Sequence, residues 1–258
     1  MGARVGVVLC AVLAAACGGK VRGDPGLEGP STQEGCESNP YGVCYPASDL
    51  GTLTMQLDAQ DNVVAHGSRM PNFRFVGFGA TSPAGVVDTS SSQILSLADF
   101  YDPDHRLGPS GQGLSVIHVM VNTMWCNPSN QEADLTSGAN FMGENPGGTS
   151  WARELAPLGV VFLEVLTDGI VVSTPATLDD LRSWVTHHEV DYSVATAGGS
   201  LGSTSGALGI FFLADAIPFN IDIDARSMEI LATSTGLDTS LDVHLKAWVA
   251  WESTHPPM

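Results

Sequence analysis

The alternation of apolar and polar positions divides most of the chain into strand-like and helix-like segments. Residues 114–122 and 160–166 are unbroken apolar runs of strand length, rich in β-branched residues. Such runs are typical of strands that are buried on both faces of a parallel sheet. Shorter strands are predicted, in chain order, over 72–78, 192–196, 217–224 and 228–232.

Helical patterns lie between these strands. Pro128 and Ser129 open a helix over 130–135, and a second helical pattern runs from 151 to 158 and ends at Gly159. Another helix follows a capping sequence that begins at Thr177, a short helical turn covers 96–101, and a final amphipathic helix covers 241–249. Strands that alternate with helices, followed by a terminal hairpin, predict an α/β sandwich around a mixed sheet.

The N-terminus has the layout of a secretory signal. An apolar run from Val5 to Ala16 follows a single Arg4, and it is too short to cross a bilayer as a helix. The ending Leu13-Ala14-Ala15-Ala16-Cys17 resembles a bacterial lipobox, which implies that Cys17 receives lipid and becomes the first residue of the mature chain. The alternative is an ordinary signal peptide cleaved near Ala16.

Composition sets the remaining boundaries. We predict a signal peptide over 1–16, a flexible Gly- and Pro-rich tether over 17–35, and a cysteine-paired extension over 36–69. The folded domain is predicted over 70–251 and a short tail over 252–258.

Charge excludes one class of partner. The chain has 28 acidic and 10 basic residues, for a net charge of −18, and its Lys and Arg residues form no cluster. Because such a field repels polyanions, we expect no nucleic-acid partner. The acidity favours solubility of an exported protein.

The chain has five cysteines. Cys10 leaves with the predicted signal peptide, and Cys17 is the predicted lipid site. Cys36 and Cys44 lie eight positions apart in a loop-like stretch, and in an oxidising compartment such a pair favours a disulfide. A metal site is the alternative there, but no further ligands stand nearby. Cys126 is left without an obvious partner.

Two motifs point to a known fold. Trp125-Cys126-Asn127-Pro128 follows the first buried strand, and Ile217-Pro218 precedes the late hairpin. This arrangement resembles the thioredoxin superfamily, in particular its extracytoplasmic TlpA/ResA branch. The resemblance implies a three-layer sandwich with a β-containing N-terminal extension. It also implies a cis bond before Pro218 and chemistry without a cofactor or metal.

The resemblance assigns roles to residues around the motif. It implies that Cys126 is the catalytic nucleophile, that Ser129 assists it by a hydrogen bond to the sulfur, and that five residues contact the substrate: Trp125, Asn127, Pro128, Ile217 and Pro218. A cysteine at a helix start is favoured as thiolate by unpaired N–H groups and the helix dipole.

The sequence departs from the family pattern at two positions. Ser129 replaces the second cysteine of the motif, so a mixed disulfide at Cys126 has no resolving thiol within the motif. Met120 stands near the position of the buried acid that many thioredoxins carry, whereas Glu164 on the next strand is a candidate buried carboxylate.

Other polar residues carry weaker signals. We interpret His118 as a satisfied core histidine. The pair His187 and His188, on the polar side of a helix, is interpreted as solvated. The alternating Asp222 and Asp224 are likewise expected to face water.

Two functions remain open at this point. The first is monothiol thiol-disulfide exchange through Cys126, with protein or small-molecule thiols and disulfides as partners. The second is a redox-inactive binding or structural module in which Cys126 is an inert core residue. Both place the chain in the cell envelope, as a periplasmic or outer-membrane lipoprotein.

The lipid anchor gives the first testable prediction. Cys17→Ala is expected to abolish membrane fractionation or processing, because the thioether to lipid forms only at that sulfur. Fractionation of envelope preparations measures this, with Cys10→Ala as the matched control that is expected to behave like the parent. Continued sedimentation of Cys17→Ala with membrane places the anchor elsewhere.

Overall fold

The computed structural model describes residues 37–48, 56–57, 63–64, 67–81, 84–108, 111–199 and 217–255. The predicted signal peptide, the tether, Cys17 and Cys36 lie outside these ranges, as does most of the Gly- and Ser-rich stretch that follows Gly198.

The elements follow the predicted alternation of strands and helices. The strands in chain order are β1 (Gln56–Leu57), β2 (Val63–Val64), β3 (Arg74–Phe78), β4 (Gln93–Ser96), β5 (Val116–Thr123), β6 (Val160–Asp168), β7 (Ser193–Thr196), β8 (Phe219–Asp224) and β9 (Ile230–Thr235). The α-helices are α1 (Asn127–Ser137), α2 (Trp151–Leu155), α3 (Leu178–His187) and α4 (Leu241–Glu252). Short 3-10 turns cover Leu97–Phe100 and Ala156–Leu158.

Seven strands form one mixed sheet in the order β4-β3-β7-β6-β5-β8-β9. The central pairs β5–β6 and β6–β7 are parallel, and the outer pairs are antiparallel. β5 and β6 are buried along their whole length, which explains their unbroken apolar runs. β1 and β2 form a separate two-stranded ribbon in the N-terminal extension.

The two faces of the sheet carry separate apolar clusters. On one face, Met120 and Val116 of β5 pack with apolar residues from all four helices. On the other face, Val119 and its neighbours pack against Phe73, Leu97 and the partly buried Tyr45. Within the described ranges this second layer is therefore formed by extended segments and a 3-10 turn, including part of the N-terminal extension. The predicted α/β thioredoxin-like sandwich is confirmed.

The sequence prediction missed some elements and shortened others. β4 follows a Ser-rich stretch and was not predicted. The observed helix α1 is longer at both ends than the helix predicted over 130–135. The capping sequence at Thr177 is confirmed, because Thr177 and Asp180 each bond the other's backbone. The final helix extends to Glu252, one residue past the predicted domain end.

Asp102 fixes the loop that leads into β5. Its buried carboxylate accepts hydrogen bonds from the backbone N–H groups of Arg106 (2.7 Å), Leu107 (3.1 Å) and Leu114 (2.7 Å). Its own N–H donates to the carbonyl of Ala225 at 2.7 Å. Asp102 therefore joins the loop, the segment that leads into β5 and the turn after β8, through its side chain and its backbone N–H.

We predict that Asp102→Ala lowers the free energy of unfolding by about 3 kcal/mol, since it leaves three backbone donors without their acceptor. Urea denaturation measures the change. Asp104→Ala is the control: Asp104 meets Arg106 at the surface at 3.8 Å, and its loss is expected to cost less than about 0.5 kcal/mol. Equal effects of the two variants contradict the assigned role of Asp102.

Candidate active site around Cys126

Cys126 stands where β5 leads into α1. It is the N-cap residue of α1, with extended backbone angles, and Pro128 occupies the first turn. The Cys126 side chain makes no capping hydrogen bond to the first-turn N–H groups. These N–H groups and the helix dipole favour negative charge on the Cys126 sulfur. The side chain is fully buried.

Ile217 and Pro218 lie beside Cys126 although 91 residues separate them in sequence. The antiparallel register of β5 with β8 pairs Val121 with Phe219, so the start of β8 meets the end of β5. The Cys126 Sγ lies 3.6 Å from the carbonyl oxygen of Ile217. The Ile217–Pro218 peptide bond is cis, as the resemblance to thioredoxins implies.

The structure corrects the expectation that Cys126 stands alone. Cys126 is disulfide-bonded, and so is Cys44 in the N-terminal extension. Cys36, the predicted partner of Cys44, lies outside the described residues, so the Cys36–Cys44 bond stays a prediction. The Cys44 residue is exposed and Cys126 is buried.

Ser129 does not have the partner that the sequence assigned to it. Its buried Oγ accepts a hydrogen bond from the backbone N–H of Thr123 at 3.4 Å, and the described residues show no hydrogen bond between Ser129 and the Cys126 sulfur. Ser129 therefore ties the first turn of α1 to the end of β5.

The remaining motif residues form the rim of the site. Asn127 is exposed, and Trp125 and Pro128 are partly exposed. The indole N–H of Trp125 donates to the carboxylate of Asp168 at 3.1 Å, and the same oxygen accepts from the backbone N–H of Ser173 at 2.8 Å. Sequence reasoning missed Asp168, whose only signal is its position at the carboxyl end of a buried strand, beside the end of β5.

Two buried carboxylates, one on α1 and one on β6, lie between this helix and the sheet. The side-chain amide of Asn122 donates to Glu132 at 3.2 Å and to Glu164 at 2.8 Å, so it joins them. Glu164 also accepts from the Trp184 indole (2.8 Å) and the Tyr192 hydroxyl (3.0 Å). Its interpretation as a buried carboxylate is confirmed. Glu132 was missed, because α1 buries mostly polar residues and has no apolar stripe to show which side faces inward.

Burial dominates the protonation of this pair. Desolvation raises the pKa of Glu132 to about 7, although the hydrogen bonds from Asn220 and Asn122 lower it. Desolvation likewise raises the pKa of Glu164 to about 7, against three hydrogen-bond donors that favour its charged form. The protonation states of Glu132 and Glu164 therefore change near neutral pH.

Three expectations about polar residues are wrong. His188 is buried, and so are Asp222 and Asp224, which were expected to face water. Asp224 meets Arg226, and Asp222 lies 2.7 Å from Nδ1 of His118. His118 is a core residue as expected, although its Nε2 has no partner among the described residues. The alternating pattern on β8 does not lead to solvent exposure, because α4 and the C-terminal turn cover the positions that were expected to face water.

The described residues contain no group of three or more His, Cys, Asp or Glu side chains placed to hold a metal ion. None of the helices in the described ranges is both long enough and apolar enough to span a membrane.

The carboxylate pair predicts the pH dependence of stability. Between about pH 4.5 and 7 the folded state keeps protons that the unfolded chain has released, so the free energy of unfolding falls as pH rises through this window. We expect a decrease of roughly 2–3 kcal/mol per carboxyl. Glu164→Gln is expected to remove about a third of the slope in urea denaturation, because Glu252, whose pKa is raised by burial to about 8, titrates over the same range as the pair. Glu154→Gln, at a half-exposed position, is the control, and a Glu164→Gln slope equal to that of the parent contradicts the assignment.

Comparison with known proteins gives likeness of structure only. No protein-family model matches the chain, and no curated protein matches its sequence. The thioredoxin domain of a thiol-disulfide oxidoreductase from Bacteroides vulgatus is 14% identical, with 72% of this chain and 99% of that chain covered and a TM-score of 0.44. A secreted thiol-disulfide isomerase from Corynebacterium glutamicum is 18% identical, with 75% and 89% covered and a TM-score of 0.43.

StoA from Bacillus subtilis is 15% identical, with 67% of this chain and 95% of that chain covered and a TM-score of 0.38. The fold is assigned from this structure itself: the strand order of the mixed sheet, Cys126 at the start of α1 and the cis bond before Pro218. On these features the chain has a thioredoxin-like α/β fold.

Proposed function

We propose that this chain is an exported, lipid-anchored thiol-disulfide exchange protein of the cell envelope that reacts at Cys126. One observation supports this above the others: a disulfide-bonded cysteine at a helix start lies 3.6 Å from the carbonyl before a cis-proline. The lipid anchor and the envelope location are supported by the sequence around Cys17.

The exchange proceeds in two displacements. A partner thiolate attacks the Cys126 Sγ, the existing S–S bond breaks, and the sulfur that leaves takes up a proton. A second thiolate of the partner then attacks the mixed disulfide and releases Cys126 as thiolate, which the start of α1 favours. The partner is oxidised by two electrons, and the protein disulfide becomes two thiols.

The cysteine count supports an exchange with external sulfur. Removal of Cys10 and lipidation of Cys17 leave Cys36, Cys44 and Cys126 in the mature chain. Three cysteines close one internal disulfide at most, so one sulfur remains to exchange with that disulfide or with a partner. Ser129 supplies no thiol, and resolution therefore depends on a sulfur outside the first turn of α1.

Burial limits the rate of this chemistry. Cys126, Ile217 and Pro218 are all buried, whereas Asn127 is exposed and Trp125 is partly exposed. We propose that a partner approaches over Trp125 and Asn127, and that the cis-proline segment orients it once Cys126 is reached. Protein or small-molecule thiols and disulfides are the proposed partners. The net charge of −18 favours basic segments in them.

Non-reducing peptide mapping of protein from the envelope tests the cysteine assignments. A Cys36–Cys44 peptide is expected, with Cys126 linked to a separate sulfur. A Cys44–Cys126 peptide instead makes the extension the source of the resolving thiol. Reduced Cys126 is expected to attack a model disulfide, so that its sulfur forms a mixed disulfide with one half and the other half leaves as a thiol, and Cys126→Ser is expected to form none at this site. No adduct at Cys126 across the pH range supports the redox-inactive module and rejects exchange.

Ser129→Cys tests the site geometry. Positions 126 and 129 share the first turn of α1, so the variant is expected to close a 126–129 disulfide and to reduce insulin with turnover at least about tenfold above the parent. Ser137→Cys, at the far end of the same helix, is the matched control and is expected to add no turnover. Failure of Ser129→Cys to form the 126–129 bond contradicts a thioredoxin-type helix start.

A further inference from the structure

His188 connects the end of α3 to the helix that carries Cys126. It is buried, with 1% of its surface exposed, and both ring nitrogens contact residues of α1. Nδ1 lies 2.7 Å from Oδ1 of Asp134, and Nε2 lies 3.1 Å from Oδ1 of Asn130. The ring of Trp184 packs against it with 4.2 Å between centroids. The imidazole is therefore held in one orientation.

The hydrogen-bond roles in this cluster follow from the carbonyl groups that Asn130 contacts. The Asn130 amide Nδ2 lies 2.7 Å from the carbonyl oxygen of Cys126 and 3.0 Å from that of Met124. Carbonyl oxygens only accept, so Nδ2 donates to both and Oδ1 faces His188 as an acceptor. Nε2 of His188 therefore carries a hydrogen.

Asp134 completes the chain of contacts. Its Oδ2 accepts from the backbone N–H of Met142 at 2.7 Å, so the carboxylate is fixed on α1. The 2.7 Å contact between Oδ1 and Nδ1 requires one further proton, on either atom. This proton keeps the imidazole turned so that Nε2–H points to Asn130 and not away from it.

We propose that Asn130 is a positioning residue for Cys126, locked in orientation by His188 and Asp134. Its amide fixes the two carbonyls that flank Trp125, in the loop from which the Cys126 sulfur is presented to the start of α1 and to Ile217. Loss of the amide frees the Met124 carbonyl and leaves the Cys126 carbonyl only the backbone N–H of Asn130, at 3.1 Å, which loosens the loop that places the sulfur at the start of α1. This inference rests on the proposed role of Cys126.

The test follows the thiol reactivity of Cys126 in reduced, full-length protein. Alkylation is measured by mass spectrometry of the Cys126 peptide across a pH series, and the exposed Cys44 of the same chain serves as internal control. Asn130→Ala is expected to raise the pH midpoint by about one unit, so that Cys126 reacts about tenfold more slowly at neutral pH, with Cys44 unchanged.

A second buried amide separates positioning from general destabilisation. Asn145 donates to the carbonyls of Asp134, Ala139 and Thr149 and touches none of residues 124–126. Asn145→Ala is therefore expected to lower the unfolding midpoint as Asn130→Ala does while leaving the pH midpoint of Cys126 in place. Equal shifts in both variants overturn the positioning role.

Two substitutions at His188 separate the contribution of its contact with Asn130 from that of its contact with Asp134. The amide of Gln reaches the position of Nε2 and is expected to keep the bond to Asn130, whereas the amide of Asn reaches only the position of Nδ1. We expect His188→Gln to retain the parent pH midpoint and His188→Asn to shift it towards that of Asn130→Ala. A reactive parent whose midpoint is unchanged by Asn130→Ala rejects this inference alone. A parent that does not react at Cys126 rejects the proposed function, and this inference with it.

Discussion

The antiparallel register between β5 and β8 is the constraint on which the site depends. Val121 faces Phe219 across the ladder, so the carboxyl end of one strand and the amino end of the other coincide. Cys126 and the cis bond before Pro218 meet for this reason. A slip of one residue turns every β8 side chain to the opposite face, and would take Ile221 out of the apolar cluster that it shares with Val119. The packing of the sheet and the geometry of the site are thus fixed together.

The helix that carries Cys126 is held mainly by polar contacts. α1 buries Glu132, Asp134 and Asn130, and its contacts with the sheet and with α3 run through hydrogen bonds to Asn122, Asn220 and His188. Such a network is specific in geometry, because each donor requires its acceptor, and it is costly when a member is lost. Carboxylates with pKa values near neutrality add protons to this network. The contacts of α1 with the sheet therefore include a carboxyl group that titrates near neutrality.

The chemistry of Cys126 depends on its disulfide bonding and its burial as much as on its place at a helix start. The helix terminus favours a thiolate leaving group, whereas full burial restricts the approach of any partner. The N-terminal extension adds to the layer on the Cys126 side of the sheet, through Tyr45 and its hydrogen bond to the carbonyl of Met70 at 2.8 Å. An extension that packs on the same cluster as Cys126 is in a position to influence access to its sulfur.

The sequence alone determined the elements whose signals are local. Apolar runs predicted β5 and β6 because strands buried on both faces need apolar residues at every position, and the capping residues at Thr177 and the Gly after Leu158 predicted helix ends. Through the resemblance to thioredoxins, the motif at Cys126 and the proline at 218 also predicted that the end of β5 and the start of β8 lie together. Tertiary structure alone decided the rest. His188 was expected to be solvated, yet it is buried at the C-cap of α3, because α1 presents two hydrogen-bonding partners there. Glu132 has no apolar stripe beside it to show which side of α1 faces inward, Asp168 has only its position at the end of a buried strand, and the disulfide bonding of Cys126 has no signal in the motif around it. Hydrogen bonds between distant residues depend on where other elements pack, and that information is not present in any local pattern.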